Sequence, residues 1–285
     1  MNTREQNGDF ETFASIVNRS IETFDDTEVP FIGSYAFKNC SNLSSVNLPA
    51  VTIINNDSFS YCTKITNIDL PAVTDIYAAA FSHCDNLISA NLPVVSTLSA
   101  SVFASCGKLT DVNIPKVTKI ESSTFYKCTS LSAIDLPKVT QIASMSFTDC
   151  DKLETMHLPV VVAIGEYAFR GCTSLKRLVL PKFESGSKSF GDCNTLEVVD
   201  FGAITKFSAY LFESCRALKT IIIRANVIPQ NYGSTVFYNT SSVDKRIQFY
   251  VPDDLVDSYK EATNWSAYAD QFKPISELPE EEETT

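Results

Sequence analysis

The sequence is poor in basic residues, with 23 lysines and arginines against 34 aspartates and glutamates and a formal net charge of −11. Binding to phosphate backbones needs clustered cations, so we expect no nucleic-acid partner. No run of 18 apolar residues occurs, and we therefore expect no membrane-spanning segment. The first ten residues, MNTREQNGDF, lack the basic-then-apolar layout of a signal peptide. Either the protein stays inside the cell or a leader has been removed from it.

Histidine and glycine are too scarce or too scattered for the common catalytic and metal sites. The two histidines, His83 and His157, occupy different positions of a repeat. They are about three repeats apart, so we expect more than about 10 Å between them at solenoid spacing. The sequence has no Cys-x-x-Cys pair, no glycine-rich phosphate loop and no motif that joins Ser or Cys to His and Asp. We therefore expect no enzymatic activity, no metal site and no cofactor.

All nine cysteines fall in one column with a spacing of 22 residues, shortened once to 21. Members of such a column point the same way, at a Cβ separation that is long for a disulfide, and an odd number leaves one thiol unpaired. A straight column does not converge on a metal ion either. We interpret these residues as buried thiols that pack as small apolar groups with weak S–H donors. The column consists of Cys40, Cys62, Cys84, Cys106, Cys128, Cys150, Cys172, Cys193 and Cys215.

The other residues of the repeat keep the same period. A phenylalanine stands three residues before each cysteine, from Phe37 to Phe212, and a leucine or isoleucine stands three residues after it. An apolar-x-apolar step then ends in proline, as in IDLP at 134–137, and a second apolar pair follows, as at Val139 and Ile142. A fixed period in the twenties that carries L-x-x-L-x-L is the signature of the leucine-rich repeat.

One such repeat cannot fold alone. Burial of its roughly seven apolar side chains contributes about 1.5–3 kcal/mol each, against about 1–2 kcal/mol of backbone ordering for each of about 22 residues. Stacked repeats pair their strands and merge their apolar columns into one core. We therefore predict a single leucine-rich-repeat solenoid, β-rich with short 3-10 or helical turns. It should be a right-handed coil of about nine to ten 22-residue repeats with helical caps at both ends.

The N-terminal part of the chain precedes the regular repeats. Apolar residues at helical spacing follow Asp9, a plausible N-cap, and predict an N-terminal helical cap in residues 1–28. These residues are Phe10, Phe13, Val17, Ile21 and Phe24. The solenoid is then expected to cover residues 29–251.

Towards the C-terminus the repeat decays and a second cap is expected. In the irregular stretch 226–245, Phe237 keeps its column and Thr240 stands in the cysteine position. Residues 252–276 have the pattern of a C-terminal helical cap. Leu255, Val256, Tyr259 and Ala262 are predicted to face inward, and Trp265, Tyr268, Phe272 and Ile275 to close the end of the core. The acidic tail 277–285 is expected to be disordered.

The F-x-x-C-x-x-L-x-x-I-x-L-P unit, the V-T-x-I turn and the ending VPDDLVDSYKEATNWSAYADQFKPI resemble the BspA-like leucine-rich repeats of bacterial and protozoan surface proteins. The resemblance covers about residues 29–275 and weakens after Pro181. It implies a non-enzymatic, ligand-binding or adhesive role, often on gut and oral anaerobes that meet host surfaces. No ligand residue can be carried over, because the shared motif consists of scaffold positions.

The residue between the two apolar positions of each strand must point outward. Over six repeats it is polar, and we take these residues as the candidate ligand-binding column: Asn47, Asp69, Asn91, Asn113, Asp135 and His157. The next column, which begins Ser45, Asn67 and Ser89, is polar as well. Such groups suit hydrogen bonds to a protein or a glycan. The alternative is that they are ordinary solvated strand residues whose amides hydrogen-bond along the ladder.

We therefore predict a non-catalytic binding or adhesion module, at the cell surface or secreted, that recognises a host or matrix protein through this face. A structural spacer, a carbohydrate-binding module and a location inside the cell are the alternatives. Towards the C-terminus the same face turns apolar and basic at Arg177, Val179, Val198 and Ile222. These residues indicate either an exposed protein contact or burial by the irregular loop after Ile223.

Overall fold

The computed structural model describes residues 20–231, 235–240 and 247–280. Each coil of the chain passes through two rows of parallel strands and one row of turns, which confirms the solenoid. One row, called here the long-strand row, has strands of three or four residues. They are Thr23–Asp25, Ser45–Asn47, Asn67–Asp69, Ser89–Asn91, Asp111–Asn113, Ala133–Asp135, Thr155–His157, Arg177–Leu180, Val198–Phe201, Thr220–Ile223, Gln248–Val251 and Phe272–Pro274.

The other row, called here the short-strand row, has strands of two residues. They are Phe31–Ile32, Ile53–Ile54, Asp75–Ile76, Thr97–Leu98, Lys119–Ile120, Gln141–Ile142, Ala163–Ile164, Ser185–Gly186, Lys206–Phe207 and Gln230–Asn231. Paired strands in both rows are parallel and keep equivalent repeat positions side by side, as Asn67 lies beside Ser89. Over the described residues the two rows make about eleven turns, where the sequence predicted nine to ten.

The segments before the cysteines are turns in which two residues per coil have positive φ, where short helical or 3-10 turns were predicted. Tyr35 (61°) and Asn39 (64°) are the pair in the first such segment. The backbone N–H groups of Tyr35, Phe37 and Asn39 donate to carbonyls of the next coil at 2.7–2.9 Å, and the N–H groups between them bond within their own turn. A 3-10 helix would keep all its N–H groups inside the segment. The left-handed residues therefore provide a third hydrogen-bonded ladder between coils.

These left-handed residues form two columns, four residues apart along the chain. The first column is Tyr35, Asp57, Ala79, Ser101, Ser123, Met145, Tyr167, Lys188 and Tyr210. The second column is Asn39, Tyr61, His83, Ser105, Lys127, Asp149, Gly171, Asp192, Ser214 and Asn239. We call the five-residue segments bounded by these columns, from 35–39 to 210–214, together with 235–239, the turn face.

The phenylalanine column forms the centre of the core. Ten rings from Phe37 to Phe237 stack one above the next, with centroids 5.1–5.9 Å apart and planes within 16° of parallel. Phe24 continues the column at the N-terminal end, and Tyr268 packs edge-on at the other. Offset stacking of this kind adds to the burial energy of each ring.

The cysteine column packs beside the phenylalanines, and all nine cysteines are buried thiols, which confirms their predicted burial. From Cys62 to Cys215, each thiol donates to the carbonyl oxygen of a phenylalanine in the preceding coil, at S···O distances of 2.9–3.2 Å. Burial is the main cause that raises thiol pKa values above their ordinary range. The raised pKa applies to Cys62, Cys84, Cys106, Cys128, Cys150, Cys172 and Cys215.

The C-terminal cap agrees with the sequence pattern in most respects. It consists of the helix Val256–Glu261 and 3-10 helices at Asp253–Leu255, Ser266–Gln271 and Ile275–Glu277. Tyr259 and Trp265 are fully buried, and the Trp265 indole N–H donates to the carbonyl of Pro229 at 2.9 Å. The pattern did not reveal that the cap also supplies a strand, Phe272–Pro274, which pairs with Gln248–Val251.

Two predictions about the chain ends need correction. The N-terminal helix was expected to extend over Thr23–Asp25. These residues instead form a strand that pairs with Ser45–Asn47. The reason is that Phe24 fills the apolar strand position of one more coil. The start of the predicted tail is also ordered, since Leu278 is buried against Ile222 and Tyr250. Residues 1–19 and 281–285, which carry the rest of both predictions, lie outside the described residues. The division into cap, solenoid, cap and tail therefore stays a prediction.

Candidate functional site

The candidate column is a partly continuous line of exposed, mutually hydrogen-bonded side chains. The amide of Asn91 donates to Asp69 at 2.9 Å, and the amide of Asn113 donates to Asn91 at 2.7 Å. Nδ1 of His157 lies 2.8 Å from a carboxylate oxygen of Asp135. All six predicted residues are exposed, as the alternation along each strand requires. We call these six residues, with Asp25, the polar ladder.

Asp25 is the member of the polar ladder that the sequence pattern missed. Asn47 donates its amide N–H to Asp25 at 2.9 Å, which adds a rung at the N-terminal end. Asp25 was missed because its strand was assigned to the N-terminal cap helix. The identical spacing of 22 residues between Asp25 and Asn47 was the available signal.

The parallel register explains these hydrogen bonds. Strands in such a sheet are about 4.8 Å apart, so an amide on one rung reaches the acceptor of the next without leaving its strand. The adjacent column shows the same behaviour, since the hydroxyl of Ser89 donates to Asn67 at 2.7 Å. Each bonded amide keeps a second N–H, and each carboxylate keeps a second oxygen, for a molecule at the surface. The face is thus pre-ordered along the solenoid axis.

Beyond His157 the face changes character and becomes partly buried. Val179 is exposed, but Asp200 is buried and forms an ion pair with Arg224 at 2.9 Å. Ile222 is fully buried in a small cluster with Tyr250 and Leu278. The segment that contains Leu278 therefore covers this end of the face. The loop after Ile223 lies partly outside the described residues, so its predicted cover of the face stays a prediction.

The structure does not bring the two histidines together. His157 belongs to the long-strand row, whereas His83 lies on the turn face and stacks on Tyr61, with ring centroids 4.4 Å apart. Among the described residues, no group of three or more His, Cys, Asp or Glu side chains is placed to hold a metal ion.

Two shallow grooves lie along the short-strand row. One has a volume of about 430 Å³ and a floor of small residues, including Ala143, Gly165 and Ser187. The other has a volume of about 390 Å³ and lies over Ser99. Lys119 borders both grooves and pairs with Glu121 at 2.8 Å. These grooves are the concave features nearest to a small-ligand site, and no sequence pattern pointed to them.

Comparison with known proteins decides the family. The BspA type leucine rich repeat region matches three overlapping stretches of the chain, residues 10–132, 96–201 and 140–253. The chain belongs to the BspA-type leucine-rich repeat family. No curated protein sequence matches it.

Solved bacterial structures share the fold of this BspA-type chain. A leucine-rich repeat protein from Bacteroides ovatus is 26% identical with a TM-score of 0.66, over 82% of this chain and 63% of that one. The chain thus matches less than two thirds of that relative's length. The leucine-rich repeat protein of T. pallidum is 34% identical with a TM-score of 0.50, over 52% of this chain and 72% of that one. No helix among the described residues is long and apolar enough to cross a membrane.

Proposed function

We propose that this BspA-type solenoid is a non-catalytic binding module that recognises a host or matrix protein through its polar ladder. The observation that carries the proposal is the ordering of the exposed side chains from Asp69 to Asn113 by hydrogen bonds between rungs. A partner that replaces water at such a row meets donors and acceptors whose positions are already restricted, so less side-chain entropy is lost on binding.

The location that accompanies this role is the cell surface or the extracellular space. Proteins of the BspA type are typically surface-associated, which supports the proposal for this chain. Protease treatment of intact cells that express the native gene tests it. Loss of the protein from intact cells, with an intracellular marker preserved, supports an external location, and full protection contradicts it.

A combined substitution tests the polar ladder directly. Asp69, Asn91, Asn113 and Asp135 are each changed to Ala, and the variant is compared with wild type on arrays of extracellular-matrix proteins and of glycans. The matched control carries four changes on the short-strand row, at half-buried Asp75 and at three exposed residues: Asp75→Ala, Thr97→Ala, Lys119→Ala and Gln141→Ala. We expect a matrix-protein signal that the ladder variant loses and the control keeps.

The other outcomes separate the alternatives. A signal confined to glycans and lost in the ladder variant would identify a carbohydrate-binding module. A signal lost only in the control would move the binding site to the grooves of the short-strand row. The spacer hypothesis has its own support, because the ladder side chains partly satisfy one another. It predicts no signal on either array.

A further inference from the structure

We propose that the turn face is a second interaction surface, built around tyrosines and fitted to a protein partner. Six of the chain's eleven tyrosines lie on its segments: Tyr35, Tyr61, Tyr126, Tyr167, Tyr210 and Tyr238. Tyr35, Tyr61 and Tyr238 are 40%, 43% and 56% exposed. Single exposed aromatics are normal on a protein surface, but six tyrosines on one face, three exposed and three half-buried, require an explanation.

The backbone at four of these tyrosines is left-handed, as it is at the equivalent residues of the other coils. Tyr35, Tyr61, Tyr167 and Tyr210 have φ values of 58–62°. A left-handed conformation costs an L-residue about 1–2 kcal/mol, and a bulky residue is an unusual occupant. The ladder between coils maintains this conformation from coil to coil, so the backbone by itself does not favour a tyrosine at these positions.

Other coils of the same columns show that better-suited residues fit there. Gly171, Asn39 and Asp57 occupy equivalent positions and are the residue types that tolerate a left-handed backbone. The coil-to-coil hydrogen bonds come from backbone N–H groups and do not require a tyrosine side chain. The tyrosine side chains are therefore not needed to form the turn.

The charges on the turn face also differ from those of the rest of the chain. The face carries four cations and four anions, whereas the whole chain has a net charge of −11. All four cations on its described segments lie over a tyrosine ring, at 5.1–5.5 Å from the centroid. The cations are Lys38, Lys127, Arg170 and Lys188, and the anions are Asp57, Asp149, Asp192 and Glu213.

A neutral face with stacked cations loses less on desolvation than the acidic remainder of the surface. Its charges are also paired locally, as Lys38 with Asp57 at 2.7 Å and Arg170 with Asp192 at 2.9 Å. Balanced charge of this kind suits neither a polyanion nor a strongly basic partner. Tyr, Arg and Met are the side chains enriched in protein interfaces, and exposed Met145 lies in the same columns.

The size of the tyrosine row favours a protein over a small ligand. From Tyr35 to Tyr238 the row crosses nine coil-to-coil steps, a length on the order of 40 Å at strand spacing. Small-ligand sites are concave, whereas the grooves described above lie along the short-strand row and not on the turn face. A protein surface of standard interface size covers several of these tyrosines together.

The test replaces the four left-handed tyrosines with a residue that the backbone accepts: Tyr35→Asn, Tyr61→Asn, Tyr167→Asn and Tyr210→Asn. Urea denaturation of wild type and variant is measured first. We expect an unchanged or higher midpoint, because asparagine tolerates the left-handed conformation. A lower midpoint would mean that the tyrosines stabilise the coil, and the proposal would be overturned.

Binding is then measured on the matrix-protein array, with the glycan array and the polar-ladder variant in parallel. We expect a protein signal that weakens by more than about tenfold in the tyrosine variant. Equal signals in wild type and tyrosine variant, including no signal in either, would overturn the proposal, as would a loss confined to glycans. A signal lost in the polar-ladder variant alone would support the proposed function and overturn the proposal for the turn face. The two proposals can therefore fail separately.

Discussion

Replacement of Ala79 by glycine should stabilise the protein relative to replacement of its neighbour Ala78. Ala79 has φ of 56°, in the first left-handed column, whereas Ala78 is not among the residues with positive φ. Both are alanines of the same turn, and both are half-buried. The pair therefore isolates backbone conformation from composition and burial.

The expected magnitude follows from two opposing effects. Glycine relieves about 1–2 kcal/mol of left-handed strain at Ala79. At either position it also increases the conformational entropy of the unfolded chain, which lowers the free energy of unfolding by about 0.5–1 kcal/mol. Ala79→Gly should therefore range from neutral to about 1.5 kcal/mol more stable, and Ala78→Gly should lose about 0.5–1 kcal/mol. The unfolded-state contribution cancels in the comparison, so the two variants should differ by about 1–2 kcal/mol.

Urea denaturation followed by far-UV circular dichroism measures this difference. Both variants should keep the wild-type slope, because neither change alters the surface that unfolding exposes. Backbone hydrogen bonds at both residues are retained by glycine, including the bond from the Ala79 N–H to Ala100 at 3.0 Å. Equal destabilisation by the two variants would refute the left-handed assignment, and with it the account of how the turns join adjacent coils.

Two further predictions concern the core. Because burial raises the pKa of seven thiols, the folded state keeps them protonated while the unfolded state ionises above about pH 8.5. The contribution of these thiols to the free energy of unfolding should be fully present below that pH and should fall as the pH rises, by up to about 1.4 kcal/mol per thiol per pH unit. An unchanged urea midpoint between pH 7.5 and 9.5 under reducing conditions would contradict their burial. Phe125→Ala should cost about 3–5 kcal/mol, whereas His83→Ala, at a half-buried position of the turn face, should cost little. Equal shifts of the two variants in a denaturation curve would show that the inward and outward columns are misassigned.

The repeat made most of the core predictable from the sequence. A period of 22 residues places every phenylalanine, cysteine and leucine of the unit at a fixed angle, and each column is buried as expected. The outward column was predictable for the same reason, since a strand alternates its side chains. Its binding role has no such basis, because a period identifies which residues point outward but not which molecule they meet.

The features that the sequence did not reveal depend on contacts between distant segments. Asp25 was recognised as a rung of the ladder when its strand was placed beside Ser45–Asn47, although its spacing of 22 residues from Asn47 was already visible in the sequence. The burial of Ile222 depends on Leu278, which lies in a segment without the repeat. The left-handed columns were hidden for a different reason. Tyrosine and lysine occupy them as well as glycine and asparagine, so residue type does not indicate the backbone conformation there.

The cysteine column ends at Cys215, and Thr240 stands in the equivalent position of the next coil. Each thiol from Cys62 to Cys215 bonds a phenylalanine carbonyl of the preceding coil, and so connects the two coils inside the core. The hydroxyl of Thr240 donates to the carbonyl of Phe237 in its own turn at 2.7 Å. Its coil is joined to the preceding one through the backbone, because the N–H groups of Tyr210, Phe212 and Ser214 donate to the carbonyls of Thr235, Val236 and Tyr238 at 2.8–3.1 Å. The ladder between these two coils therefore does not depend on a cysteine at this position. The edge-on packing of Tyr268 against Phe237 then continues the core into the cap.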